Sequence, residues 1–134
     1  MKNAQKERII AHIQDTYAAE EEHLWAQYPN YSVFRHAMSQ KWYAFIMDIP
    51  QSKLGLEGEQ TVDVLDVKCS PVMIGSLLPE KGFFPAYHMN KKSWISILLD
   101  GTVSDEEIAL LLDMSYDSVA PKLRRKNPAY KEED

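Results

Sequence analysis

The first hydrophobic pattern along the chain has the period of an α-helix. Ile9, Ile13 and Tyr17 are spaced four residues apart, and polar or charged residues fill most positions between them. This spacing puts the apolar side chains on one face of a helix, which we predict from Asn3 to about Tyr17.

The next segment, Ala18–Asn30, follows no single period. An acidic run at Glu20–Glu22 opens it, and Leu24, Trp25 and Tyr28 then supply apolar anchors. We predict a loop that packs back on the protein through its aromatic side chains.

Four later stretches have the residue types of β-strands. Aromatic and β-branched residues dominate them, and glycine, proline and small polar residues separate them. The predicted strands are Tyr31–Met38, Lys41–Ile49, Thr61–Lys68 and Trp94–Leu99, with a turn at Ser39-Gln40, a loop at Pro50–Gln60 and a short extended piece at Phe83–Ala86. The second of these strands is apolar on both faces, which predicts a central place in a sheet.

Two further helices have clear N-terminal signals. Ser70 is a natural N-cap, and Pro71 suits the first helical position, where its missing N–H has no partner to lose. Ser104 and Glu107 have the spacing of a capping box, in which each side chain bonds the backbone N–H of the other residue. We predict that Pro121 stops this last helix.

Length and composition define a single domain. The chain has 134 residues and a net charge of −5, and we predict one domain at residues 1–121 followed by a charged tail at 122–134. The single cysteine, Cys69, cannot form an internal disulfide, which fits a reducing cytoplasm. No apolar run has the length of a membrane span or a secretory signal. We therefore expect a cytoplasmic protein without a membrane segment.

Several motifs resemble a known family. The segment Tyr87–Lys91, followed by Trp94 and then Leu99–Gly101, resembles the signature of the MmcQ/YjbR-like family of small bacterial proteins. Further matches cover most of the chain: Val33–His36, Lys41–Ala44, Leu54–Leu56, Lys68-Cys69 with Pro71, Gly75–Leu77 and Pro85–Tyr87. One departure is Ala19–His23, where relatives often carry a proline, so that the first helix has no stop signal before its glutamates.

The resemblance implies an α+β fold. The implied architecture is an antiparallel sheet with helices packed mainly on one face, similar to frataxin-like (CyaY-like) proteins. The family has also been described as a "double wing" DNA-binding fold. The resemblance brings no catalytic residue and no cofactor.

The charge pattern supplies a test of DNA binding. Arg35 and Lys41 flank the first predicted turn, three lysines and no acid occur from Lys81 to Lys92, and five cations and no acid occur from Ser118 to Lys131. If these groups converge they can neutralise several phosphates, and Trp42 or Trp94 can stack an unpaired base. The predicted nucleic-acid-binding residues are Arg35, Lys41, His88, Asn90, Lys91, Lys92, Trp94, Arg124 and Arg125. Solvated surface lysines and a solubilising tail are the plainer interpretation of the same pattern.

Catalysis and metal binding are weaker alternatives. His88, Asn90, Lys91 and Asp100 lie close in sequence, but no nucleophile elbow, phosphate loop or carboxylate pair accompanies them. We therefore expect no enzyme, and interpret His88 and Asn90 as residues that fix the entry into a strand. The acidic run with His23 could offer ligands to a metal, but adjacent residues cannot all face one ion from a helix, and we expect neither metal nor cofactor.

A non-enzymatic protein-interaction module is the main alternative to DNA binding. Its surface would carry an exposed apolar patch, for which Trp25, Tyr28 and the Pro50–Gln60 loop are the candidates. We expect a monomer that contacts DNA or a protein partner.

Overall fold

The structure is a computed structural model that describes residues 3–122, which form three helices and five strands. The helices are α1 (Ala4–Tyr17), α2 (Pro71–Leu77) and α3 (Asp105–Ser118). The strands are β1 (Ser32–Arg35), β2 (Trp42–Pro50), β3 (Thr61–Lys68), β4 (Phe83–Pro85) and β5 (Trp94–Leu98), and a single 3-10 turn spans Gln51–Leu54.

All five strands belong to one antiparallel sheet with the order β1-β2-β3-β5-β4. The long strand β2 pairs with β1 on one side and β3 on the other, as its two apolar faces predict. Helices and sheet together confirm the α+β fold class.

The three helices cover one face of the sheet. Ile9 and Ile13 of α1, Ile74 of α2 and Ile108 of α3 join one buried cluster with sheet residues such as Leu65. Alternate residues of β5 and the residue after it, Ile95, Ile97 and Leu99, belong to the same cluster. Burial of these side chains supplies the main driving force for the fold.

Loops cover the opposite face. The buried residues there include Val33, Phe45, Met47 and Val64, and half-buried Trp25 and Tyr87 pack against them. The predicted loop at Ala18–Asn30 does return to the sheet, since Glu22 forms an isolated antiparallel bridge with Val33. These loops carry the candidate site described below.

The predicted serine caps are confirmed, although the described residues show only one of the two bonds of the capping box at Ser104 and Glu107. The side chain of Asn3 accepts the Lys6 N–H and begins α1. Ser70 accepts the Met73 N–H at 3.2 Å, and Ser104 accepts the Glu107 N–H at 3.1 Å. Each cap satisfies an N–H that has no partner inside its helix.

The first helix ends where the sequence predicts, and the last helix ends earlier than its proline. The first helix does not continue into the glutamates, because Ala18 adopts a left-handed conformation with φ 52° directly after Tyr17. The last helix ends at Ser118, before Pro121, with Ser118 Oγ donating to the Ser115 carbonyl at 2.7 Å.

The first hairpin also differs from the prediction. Six residues, 36–41, connect β1 to β2, so β1 ends three residues earlier than predicted, β2 begins one residue later, and Ser39-Gln40 is only part of the turn. The cause is His36, whose Nδ1 accepts the N–H groups of Met38 and Ser39 at 3.1 and 3.4 Å. These bonds draw the backbone out of the ladder, and Gln40 completes the turn at φ 64°.

Gly82 directly precedes β4 and adopts a backbone conformation that leads to a first prediction. Its φ is +92°, and a Cβ there would lie 2.6 Å from Val103 Cγ2. We expect Gly82→Ala to lower the free energy of unfolding by about 1–3 kcal/mol, because strain and overlap add. Gly75→Ala is the matched control: it lies in α2 with open space around its Cα, and alanine there should stabilise by up to about 1 kcal/mol. Urea unfolding of both variants measures the contrast, and equal effects would contradict it.

No helix in the described range 3–122 has the length and apolar composition needed to cross a membrane.

Candidate nucleic-acid interface

Antiparallel pairing brings five cations to one end of the sheet. Arg35 ends β1, Lys41 precedes β2, Lys68 ends β3, and Lys91 and Lys92 precede β5. The register aligns these ends, because Arg35 pairs with Trp42 and Lys68 pairs with Trp94. We call these five residues the basic end. From β1 to β5 it spans three inter-strand steps, or roughly 14 Å.

The cations of the basic end differ in whether another group of the protein already compensates their charge. Arg35 pairs with Glu22 at 3.1 Å and lies 5.9 Å from the centre of the Trp42 ring, so its charge is largely compensated. The side chains of Lys41 and Lys92 are exposed and belong to no ion pair within the described chain. These two lysines are therefore the cations most available to a phosphate.

Several acids lie at the opposite end of the sheet. Asp48 lies near the end of β2, Asp63 near the start of β3, and Asp100 follows β5. The acidic first turn of α3 lies there too, since Gln5 at the start of α1 bonds Asp105 and the Val103 carbonyl. Although the chain is acidic overall, its sheet thus has one basic and one acidic end.

The loop between β4 and β5 crosses the sheet face that the helices leave free. The Tyr87 N–H donates to Ser96 Oγ at 3.0 Å, and Lys91 Nζ donates to the Ala86 carbonyl at 2.9 Å. Asn90 Oδ1 accepts the Lys92 N–H at 2.8 Å. Asn90 therefore shapes the turn into β5, as the structural interpretation of this residue predicted.

An aromatic pocket lies beside the basic end, where this loop meets the first hairpin. Its volume is about 370 Å³, and its lining residues are Trp25, Tyr28, Tyr31, Trp42, Phe45, His88 and Met89. We call this group the aromatic pocket. Tyr31 and Phe45 are buried at its base, whereas Tyr28 is 48% exposed at its rim.

Asp66 is buried beneath the same loop and is fully inaccessible to solvent. Ser96 Oγ donates to its Oδ1 at 2.5 Å, and Oδ2 has no hydrogen-bond partner within the described chain. Burial raises the pKa of Asp66 to about 8, and the Ser96 hydrogen bond and the nearby Lys91 charge oppose that rise. At neutral pH the carboxyl is therefore mostly protonated, and through Ser96 it is linked to the Tyr87 backbone.

Trp94 corrects one expectation about the site. The sequence predicted that its ring could stack an unpaired base, but its side chain is only 7% exposed. Trp94 begins β5 and pairs with Lys68 inside the sheet, so its ring is covered. The other predicted stacking residue, Trp42, is half-buried and lines the aromatic pocket.

The lysines predicted as one run are divided between the two ends. Lys81 precedes β4, whose first residue Phe83 pairs with Ile97 near the end of β5, so Lys81 lies at the acidic end. Arg124 and Arg125 lie outside the described residues.

The residues weighed for catalysis do not come together as a set. His88, Asn90 and Lys91 lie in the loop before β5, while Asp100 follows β5 at the other end of the sheet. The acidic run weighed for metal binding is engaged in other contacts: Ser32 Oγ donates to Glu21 Oε2 at 2.5 Å, and Glu22 pairs with Arg35. Among residues 3–122, no group of three or more potential ligands is placed to hold a metal ion.

The region predicted for an exposed apolar patch is exposed in part, since Tyr28 is 48% and Leu56 of the Pro50–Gln60 loop 36% exposed. Trp25 is half-buried against Phe45, at 5.5 Å between ring centres, and so forms part of the pocket. A second surface is a groove of about 380 Å³ between the start of α2 and α3, which is lined by Lys68 of the basic end and by Cys69, Leu111 and Met114 among others. Val72 beside it is 83% exposed.

Sequence reasoning missed Lys68 and Asp66 as parts of the site. Lys68 was assigned only to a strand, and register with β5 is what places it at the basic end. Asp66 only interrupted an alternating strand pattern, although a carboxylate in a central strand is itself a signal, because charged residues are almost never fully buried without a partner.

Comparison with known proteins identifies the family. The chain belongs to the YjbR family, whose model matches residues 14–118. It is 38% identical over 111 residues to protein YyaQ of Bacillus subtilis (strain 168), which is described as uncharacterized; the match covers 83% of this chain and 94% of that protein.

Two known structures have a similar fold. A crystal structure of a Pseudomonas syringae protein is 42% identical, with a TM-score of 0.83 over 86% of this chain and 98% of that one. A Deinococcus radiodurans protein is 24% identical, with a TM-score of 0.62 over 84% of this chain and 79% of that one, and this likeness concerns the fold alone.

Proposed function

We propose that this protein binds DNA through the basic end of its sheet. The observation that carries the proposal is the placement of Arg35, Lys41, Lys68, Lys91 and Lys92 on neighbouring strand ends. Phosphate contacts supply most of the sequence-independent affinity of a protein for DNA. An acidic protein can make such contacts only through a local basic surface of this kind.

The basic end has the length to contact a short stretch of DNA backbone. Its span of roughly 14 Å holds four lysines, each of which can meet one backbone phosphate. Arg35 is already paired with Glu22, so the lysines provide most of the net charge. We therefore expect weak, salt-dependent binding without strong sequence preference.

Fluorescence anisotropy of a labelled oligonucleotide tests the proposal across a salt series. With about four phosphates neutralised, log affinity should fall with log salt at a slope of about −3.6 for a duplex and about −2.8 for a single strand. A slope near zero would contradict a phosphate-binding surface, as would failure to bind at the lowest salt concentration.

Protein interaction is the second candidate function, and the groove between α2 and α3 favours it. Val72 is 83% exposed, and Leu110 and Met114 on α3 are 61% and 42% exposed. Apolar side chains gathered beside a groove are typical of surfaces that contact another protein. A partner that contacts these residues and leaves the strand ends free would favour this candidate over DNA binding.

A further inference from the structure

The aromatic pocket has the shape and lining of a site for a flat ring. Its volume of about 370 Å³ is near the lower end of the usual range for ligand sites, about 300–1,000 Å³, and its lining is mostly aromatic. Trp25 and Trp42 meet at 90° with ring centres 6.0 Å apart. A planar group that stacks on one of these rings is perpendicular to the other, and an edge-to-face contact is a favoured arrangement for aromatic groups.

His88 adds a polar group to the rim of the aromatic pocket. It has φ 67°, a conformation that residues other than glycine rarely adopt, and its ring packs on Tyr87 at 4.0 Å between centres. The side chain is exposed, and no residue in the described range hydrogen-bonds its ring nitrogens. The imidazole is therefore free to bond the polar edge of a ligand ring.

The surroundings of the pocket favour a ligand that has a flat ring with an anionic group next to it. Trp42 belongs to the pocket and follows Lys41 of the basic end, while His88 and Met89 belong to the pocket and precede Lys91 and Lys92. Residues of the pocket and cations of the basic end are thus neighbours in sequence at both places. A nucleotide has this combination of a stacking base and a phosphate.

We propose that the aromatic pocket receives one unpaired base of a DNA strand whose phosphates lie along the basic end. This inference rests on the proposed function and specifies the form of DNA that the protein prefers. In a duplex each base is stacked between its neighbours, so that only a single strand can supply a base without the cost of unstacking. Base–aromatic stacking contributes about 1–3 kcal/mol per base.

The test compares three probes on the full chain: a single strand, the duplex of the same sequence, and deoxyadenosine monophosphate. The single strand carries one 2-aminopurine, whose emission falls when the base stacks on an aromatic ring. We expect the single strand to bind about tenfold or more tightly than the duplex, with loss of 2-aminopurine emission.

Two variants change residues at the rim of the aromatic pocket and leave the buried residues at its bottom intact. Tyr28→Ala removes a ring that is 48% exposed, and His88→Ala removes an exposed imidazole. We expect Tyr28→Ala to weaken single-strand binding about tenfold and duplex binding much less. Met38→Ala is the control, because Met38 is 73% exposed in the hairpin turn and lies outside the pocket.

The outcomes separate this inference from the proposed function. Equal binding of single strand and duplex, with unchanged 2-aminopurine emission, would overturn the pocket inference and leave the basic end intact. Binding of neither oligonucleotide would overturn both. Quenching of tryptophan fluorescence by the mononucleotide alone would overturn the assignment to a DNA strand and identify a free nucleotide as the source of the base.

Discussion

An Asp66→Asn variant should be more stable than the wild-type protein at pH 8, by on the order of a few kcal/mol. The pKa of Asp66 is raised from 3.8 to about 8 in the folded protein, because the carboxyl is buried. Between these pH values the folded state binds a proton that the unfolded state has released. The stability of the wild type therefore falls as the pH rises from about 4 to about 8, and levels off above that range.

The asparagine variant has no such proton to lose at this position. Its amide keeps an oxygen that can accept the Ser96 hydroxyl, so the link from Ser96 to the Tyr87 N–H remains. The free energy of unfolding of the variant should consequently depend less on pH between about 4 and 8. Urea unfolding at a series of pH values measures both curves.

Asp117→Asn is the matched control for this experiment. Asp117 is exposed in the last turn of α3, so the same chemical change there should alter stability by less than about 0.5 kcal/mol. Parallel pH profiles for the wild type and Asp66→Asn would contradict the raised pKa and the protonated state of the buried carboxyl.

Reversing the two freest charges of the basic end should weaken DNA binding strongly. We expect Lys41→Glu combined with Lys92→Glu to reduce affinity at low salt by about 10- to 100-fold, because two attractive phosphate contacts become repulsive. The slope of log affinity against log salt should shrink by about two units, one for each lost contact. Anisotropy titrations across a salt series give both quantities.

Lys81→Glu is the control for charge alone. It makes the same kind of substitution at an exposed lysine, but at the acidic end of the sheet. If binding depends on the basic end, one reversal there, Lys41→Glu, should weaken binding more than Lys81→Glu does. Equal losses from these two single variants would indicate a response to net charge and would contradict a localised interface.

The elements that local chemistry determines were predictable from the sequence. Ser70 and Ser104 cap their helices through bonds to N–H groups three residues away, and such contacts can be inferred from spacing. The strand β3 begins and ends where its residue types predict. The first hairpin was not predictable in the same way, since His36 can be assigned to the turn only once its Nδ1 is seen to accept two backbone N–H groups.

The candidate site depends on contacts between distant parts of the chain, and this limited its prediction. Asp66 and Ser96 are 30 residues apart in sequence, and only the pairing of β3 with β5 joins them. Trp94 is an aromatic residue of the type that stacks on nucleobases, but its place in the sheet buries it, and residue type alone does not predict that. The alignment of Lys41 with Lys92 likewise follows from strand order, which residue types alone do not determine.

The central claim is that DNA binds at the basic end. Amide NMR of the protein with a single-stranded oligonucleotide tests it most directly, because it shows which residues the DNA contacts. Titration of the isotope-labelled protein should shift the backbone resonances of Arg35, Lys41, Lys68 and Lys92, with Lys81 as an internal reference that stays in place. Shifts confined to Leu110, Leu111 and Met114 of α3, with Lys41 and Lys92 unmoved, would contradict DNA binding at the basic end, as would no shifts at saturating DNA.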